Sequence, residues 1–328
     1  MSYPMLANYI RFKRKSSDYT EDFCEAYNYL TDIRCKLDLK TAAFARKLNG
    51  FRDPYKVDKR FTRAEVDDML DTLSFYGIVR DRRFLSKSIF ELMMTVWKPK
   101  VNQSMRIAAF FLNHLLLISW LPLLISGILL LNQNMYMIDD DYMLAGVYLG
   151  TLVGLVLHEI GHAIATLGCG GRLFEMGIML RLFMPGAYVL SDLKCVKSRF
   201  YRIQVHAAGI ETNFSLVGMS LILSAVCYNF GGIFLGAAIS NLILALVNST
   251  FVNGLDGAHI IGELLCGDFD FIDKARKIVK SKRVRNRFIR KGINGRVTIA
   301  ISYIITVLQI FLPLIYIFNI MQVIKCFL

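Results

Sequence analysis

Five stretches of this 328-residue chain run apolar with almost no charge: about 108–131, 143–168, 205–228, 233–255 and 298–324. Each meets the roughly 20 residues a helix needs to cross the hydrocarbon core of a bilayer. They also lack the polar face that a helix of a soluble protein turns to water. The pattern predicts a mainly α fold, a polytopic membrane bundle of about five or six spans occupying 101–328. Before it, from about residue 26 to 95, charges are interspersed among short apolar groups. That pattern predicts a small soluble α+β domain within 1–100.

Inside this first segment Leu37, Thr41, Phe44 and Leu48 recur at helical spacing after a short extended run. Thr62, with Glu65 three residues on, forms a capping box that opens a second helix through Val66, Met69, Leu70 and Leu73. Gly77 ends it, and Ile78-Val79 followed by basic residues predicts a helix-then-wing arrangement. Further along, Pro185-Gly186 separates two apolar runs and predicts a hairpin turning at that pair. Such a hairpin either lies flat at the membrane interface or re-enters the membrane, where non-helical backbone is tolerated only if it lines a cavity or is covered by protein.

Composition supports the membrane reading, with 55% hydrophobic residues against about half in soluble domains. The net charge of +13 matters through its placement. Twenty-one Lys and Arg precede the first span, six lie in 169–204 and eleven in 257–297, against none in 132–142. Basic loops stay in the cytoplasm, so the N-terminus and those two loops are expected inside, in a plasma membrane of bacterial type. The basic run Lys274 to Lys291 then reads as topology and attraction to anionic lipid, and no nucleic-acid partner is expected. Seven cysteines without a CxxC pair predict free thiols.

The chemistry is concentrated in His158-Glu159-Ile160-Gly161-His162, within the second span. Residues four apart share a helix face, so both imidazoles can reach one metal ion, with Glu159 beside them to take a proton from a metal-bound water. Ionisable groups inside a span cost about 2.5 kcal/mol or more each on insertion scales, which makes function the default reading. A catalytic zinc carries three protein ligands and a water, and the acids after the motif that could supply the third are Glu175, Asp192, Glu211 and Asp256. Asp256 is expected at the cytoplasmic end of the fourth span, on the side where the His-bearing helix also ends, and is the predicted ligand. His206 and His259 are expected to be interfacial, and Glu211 is either a second acid near the site or a residue facing a cavity.

His158 to His162, then Ala208-Gly209-Ile210-Glu211-Thr212-Asn213, then Asn248 leading to Leu255-Asp256-Gly257, resembles the site-2 protease family of intramembrane zinc proteases. The resemblance covers about 143–265 and implies Zn2+ held by His158, His162 and Asp256, Glu159 as catalytic base, supporting roles for Asn213 and Asn248, and a re-entrant hairpin. The family's prolines in the second and third motifs are Ile210 and Phe251 here, which touches helix breaks more than ligands. The first domain resembles PqqD-like peptide-recognition domains through Leu37-Asp38-Leu39 and Leu73 to Val79, which implies a peptide or protein substrate whose leader it binds. A plain winged-helix anchor fits the same residues. The competing function is a non-catalytic membrane protein of peptide binding, export or immunity that keeps a zinc site; an acid beside the first ligand has no use there.

Overall fold

In the computed structural model the described residues are 3–7, 9–17, 20–29, 33–81, 91–134, 142–181, 184–250, 252, 254–266, 271–290, 295–307 and 311. The chain divides into two units, one of residues 1–102 with 172–192, the other of 103–171 with 193–328.

The first unit opens with β1 (Pro4–Leu6), then β2 (Ile10–Ser17), β3 (Thr20–Asn28) and β4 (Arg34–Asp38), the last three an antiparallel sheet in that order. Asp38 ends β4 and starts α1 (Leu39–Lys47) by accepting the Thr41 N–H at 2.8 Å, an N-cap that satisfies one orphan donor. A short α2 (Pro54–Val57) leads to α3 (Arg63–Phe75), where Glu65 N–H donates to Thr62 Oγ1 and Thr62 N–H to Glu65 Oε2. The capping box is therefore complete. At the other end Gly77 adopts φ +62°, and the Ile78 and Gly77 amides donate to the Leu73 and Ser74 carbonyls. This left-handed cap suits glycine because a Cβ would be strained there.

Both expected apolar faces are inward: Leu37, Thr41, Phe44 and Leu48 are buried, as are Val66, Met69 and Leu73, with Leu70 partly buried against the same core. After Ile78, strand β5 (Val79–Asp81) pairs with β1. The wing expected next falls on 82–90, outside the described residues. Strand β6 (Glu91–Trp97) forms a third antiparallel sheet with β7 (Arg172–Arg181) and β8 (Met184–Asp192), in the order β6-β7-β8.

The predicted hairpin is thus present, but its turn is corrected. Pro185 and Gly186 are already in β8, opposite Leu180 and Met179, and the pairing runs on to Arg181 opposite Met184. A proline near the start of an edge strand costs no ladder hydrogen bond when its nitrogen faces away from the partner. Gly177 in β7 leaves room for the Tyr188 ring of β8. The pairing of β7 with β6 on its other side was not foreseen.

Among the described residues the second unit holds four helices long and apolar enough to cross a membrane, which marks the chain as a membrane protein. They are α4 (Gln103–Asn134), α5 (Met143–Gly168), α6 (Arg199–Val226) and, after a 3-10 turn at Tyr228–Phe230, α7 (Gly231–Asn248). Helix α6 is central, touching α4, α5 and α7. Shorter helices follow: α8 (Asp256–Cys266), α9 (Phe271–Lys280), α10 (Lys282–Ile289) and α11 (Gly295–Val307). The expected fifth span at 298–324 begins within α11, and most of it falls outside the described residues.

The expected fourth span of 233–255 is also corrected, because α7 stops at Asn248 and Asp256 is the first residue of a separate helix. The Ser249 and Thr250 hydroxyls donate to the Ala245 and Val247 carbonyls, and Gly254 sits at φ +87°. Side-chain hydroxyls that compete for helical carbonyls and a left-handed glycine end the helix without a proline. Conversely Ile210 leaves α6 unbroken.

Candidate metal centre

One face of α5 carries Gly146, Gly150, Gly154, His158 and His162, a row at four-residue intervals. A Cβ on Gly146 would run into Ile233, on Gly150 into Ala237 and Ser240, and on Gly154 into Asn241, all on α7. Three successive turns without side chains let the two backbones approach closely, which is how helices pack where lipid removes the hydrophobic drive. The same row then changes from glycine to histidine, and the imidazoles fill the space toward α6 and α8.

His158 Nε2 and His162 Nε2 lie 3.2 Å apart. Asp256 Oδ2 is 3.0 Å from His158 Nε2, and its Oδ1 is 3.2 Å from His162 Nε2. One ligand atom from each residue falls within 4.8 Å of the other two. His162 Nδ1 donates to the Val205 carbonyl of α6 at 2.7 Å. The Asn213 side-chain amide lies 3.1 Å from His158 Nδ1. Both rings are therefore gripped at Nδ1 by α6 while Nε2 faces inward.

The donor set can be tested against a cation. Two imidazole nitrogens and a carboxylate converge with no cation from the chain between them, and Asp256 Oδ2 is buried without an aligned hydrogen-bond donor among the described residues. Metal-binding histidines hold the other ring nitrogen in a hydrogen bond that fixes tautomer and orientation, and Val205 and Asn213 fill that role. With a metal on Nε2 the His158 proton is on Nδ1, so the acceptor is the Asn213 amide oxygen, the atom otherwise left buried and unsatisfied. The residues fit a divalent transition-metal ion.

Gly209 of α6 makes the approach possible. A Cβ there would stand 2.5 Å from atoms of both His158 and His162, closer than any side chain tolerates. Glu159 is half-buried and near enough to His162 to interact with it electrostatically.

The other acids go elsewhere, whereas His206 is near enough to His162 and Asp256 to interact with them electrostatically. Glu175 is fully buried and accepts from Tyr188 Oη at 3.1 Å, Asp192 pairs with Arg172 at 3.6 Å, and Glu211 accepts from Gln204 Nε2 at 2.8 Å. Asn248 donates to the Leu244 carbonyl one turn back at 3.1 Å. His206 and His259 stack on each other with ring centroids 4.9 Å apart, and His114 bonds to the Phe110 carbonyl.

Sequence reasoning passed over the glycine row, although glycines at four-residue spacing running into the histidines were in plain view. It also missed Arg202 of α6 and Glu263 of α8, a pair with Nε–Oε1 2.8 Å in which Glu263 is buried and Arg202 partly so. Comparison with family models, with curated proteins and with solved structures gave no match.

Proposed function

We propose that this chain is a zinc-dependent intramembrane endopeptidase that hydrolyses a peptide bond in a membrane-associated or ribosomally made precursor peptide. The observation that carries the reading is the convergence of His158, His162 and Asp256 on one point at the end of an apolar helix, with Glu159 next to the first histidine. Two histidines and one carboxylate make a three-ligand set, which leaves a position for water as catalytic zinc sites do. The resemblance of the three motifs to site-2 proteases supports the same assignment.

Zinc, when bound, supplies Lewis acidity to a water and to the scissile carbonyl. Glu159 accepts a proton from the attacking water and returns it to the leaving amine. Val205 and Asn213 hold the imidazoles so that neither ring turns away, and Gly209 keeps the space in front of them open. The distribution of Lys and Arg supports an N-terminus, a 169–204 segment and a 257–297 segment on the cytoplasmic side.

The first unit supports a recruiting role. In the order β2-β3-β4, β4 is an edge among the described residues, to which an extended leader peptide can add by main-chain hydrogen bonds. Such docking raises the concentration of the scissile segment near the centre.

The test is Glu159→Gln in purified full-length chain, with zinc content and cleavage of a candidate precursor measured together. Zinc is expected to stay at one equivalent while cleavage falls by at least about 100-fold. Loss of zinc would make Glu159 a ligand, and unaltered cleavage would remove it from the chemistry.

A further inference from the structure

Helix α8 supplies the third ligand from its first residue, and the chain reaches it through a left-handed glycine, Gly254. What fixes it is a set of contacts with α6 that run in opposite directions along the two helices. Asp256, His259 and Glu263 lie at i, i+3 and i+7, one face of α8. They meet, in reverse order, the level of Gly209, then His206, then Arg202 on α6.

The last rung is the most specified. Glu263 is 1% exposed, and Arg202 meets it as a fork, Nε to Oε1 at 2.8 Å and the second terminal nitrogen to Oε2 at 3.0 Å. The remaining guanidinium nitrogen of Arg202 donates to the Val196 and Lys197 carbonyls at 2.9 and 3.2 Å, which ties the arginine to the segment before α6. Arg199 donates to the backbone carbonyls of Glu263 and Leu264 in the last turn of α8, where helix carbonyls lack partners and a cation is favoured. The opposite face of α8 packs through Ala258 and Ile261 against Phe271, Ala275, Ile301 and Ile305 of α9 and α11, which gives apolar adhesion with little axial preference.

A buried ion pair is a poor stabiliser, since well-packed apolar residues often do as well or better; its best-attested use is to set register. Register is what this centre needs. Helical residues advance about 1.5 Å each and turn by about 100°, whereas metal–ligand distances tolerate about 0.2 Å. A slip of α8 by one residue would take Asp256 out of reach.

We propose that Arg202 and Glu263, aided by Arg199, are positioning residues that lock the axial register of α8 on α6 and thereby present Asp256 to His158 and His162. The proposal rests on the metal reading above and deepens it.

The experiment titrates the purified full chain in detergent with zinc alone, reading affinity by competition with a chelator. Glu263→Gln is expected to weaken zinc binding by about 10- to 100-fold, the range for groups that support a ligand. In an Asp256→Ala background the same change is expected to alter the remaining affinity by no more than about twofold, because the ligand it positions is gone. Glu263→Asp keeps the charge and shortens the reach by one methylene; it guards against a variant that fails to fold and is expected to fall between native and Gln. The exchanged pair Arg202→Glu with Glu263→Arg is expected to bind zinc more tightly than either single change.

Native affinity in both Glu263→Gln and Glu263→Asp would overturn the proposal. So would an equal weakening with and without Asp256, which would mean a general loosening. A native chain that binds no zinc would overturn the metal reading and this proposal with it. Zinc binding that responds as expected in a chain that cleaves no peptide would uphold the positioning role and sink the protease reading alone.

Discussion

In the first unit the surfaces that meet carry the largest side chains, Phe44, Leu73 and Ile78 among them, each at most 1% exposed. In the second unit the helix faces that meet carry the smallest, Gly146, Gly150 and Gly154 of α5 against α7 and Gly209 of α6 against the histidines. Its large side chains point the other way: Phe111, Leu115 and Ile118 of α4 are 66%, 62% and 69% exposed. The first unit is built by withdrawing apolar surface from water, a force absent between helices already in lipid. The second is built by close backbone approach, and the centre exploits it, since only side-chain-free positions leave room for two imidazoles and a carboxylate on one point.

The contrast can be broken by substitution. The largest effect is expected from Gly209→Leu, which puts atoms where the imidazoles stand; zinc in the purified protein should drop from one equivalent to none, and retention of a full equivalent would mean α6 can back away. Next comes Leu73→Ala in α3. Removing a fully buried leucine should lower the opening free energy of the α3 amides by about 2–5 kcal/mol in hydrogen exchange, with zinc content unchanged. A loss under about 1 kcal/mol would mean the unit is not held by its core. The same change at Leu115 should be the mildest, within about 0.5 kcal/mol of native, as read by thermal unfolding in detergent. A cost at Leu115 comparable to that at Leu73 would show that this face of α4 is covered by something other than lipid.

The parts legible in the sequence were those written in local periodicity. The α5 limits of 143–168 followed from apolar length, the α3 start from Thr62 and Glu65, and the shared face of His158 and His162 from helical geometry. Asp256 was reached by side and depth, although the helix expected to carry it ends eight residues earlier. That boundary was not legible because Phe251 and Val252 continue the apolar run, while the break comes from hydroxyls bonding backward and from the φ of Gly254. The hairpin turn was misread for a related reason: Pro-Gly signals a turn only where nothing pairs with it, and Leu180 and Met179 do. The partnering of β6 with β7, and of Arg202 with Glu263, joins residues far apart in sequence, and no local pattern announces such pairs.

The pairing of β6 with β7 also fixes an order in time. Strand β6 ends at Trp97 and β7 begins at Arg172, so about 75 residues, α4 and α5 among them, must be made before β6 has a partner. At roughly 5–20 residues per second this takes about 4–15 s, against microseconds for two strands already tethered as a hairpin. During that wait both edges of β6 are templates for any other extended chain. A ribosome that pauses between the second span and β7, or a span that fails to insert, therefore leaves an unpaired strand on display, and quality control can recognise the unfinished chain by it.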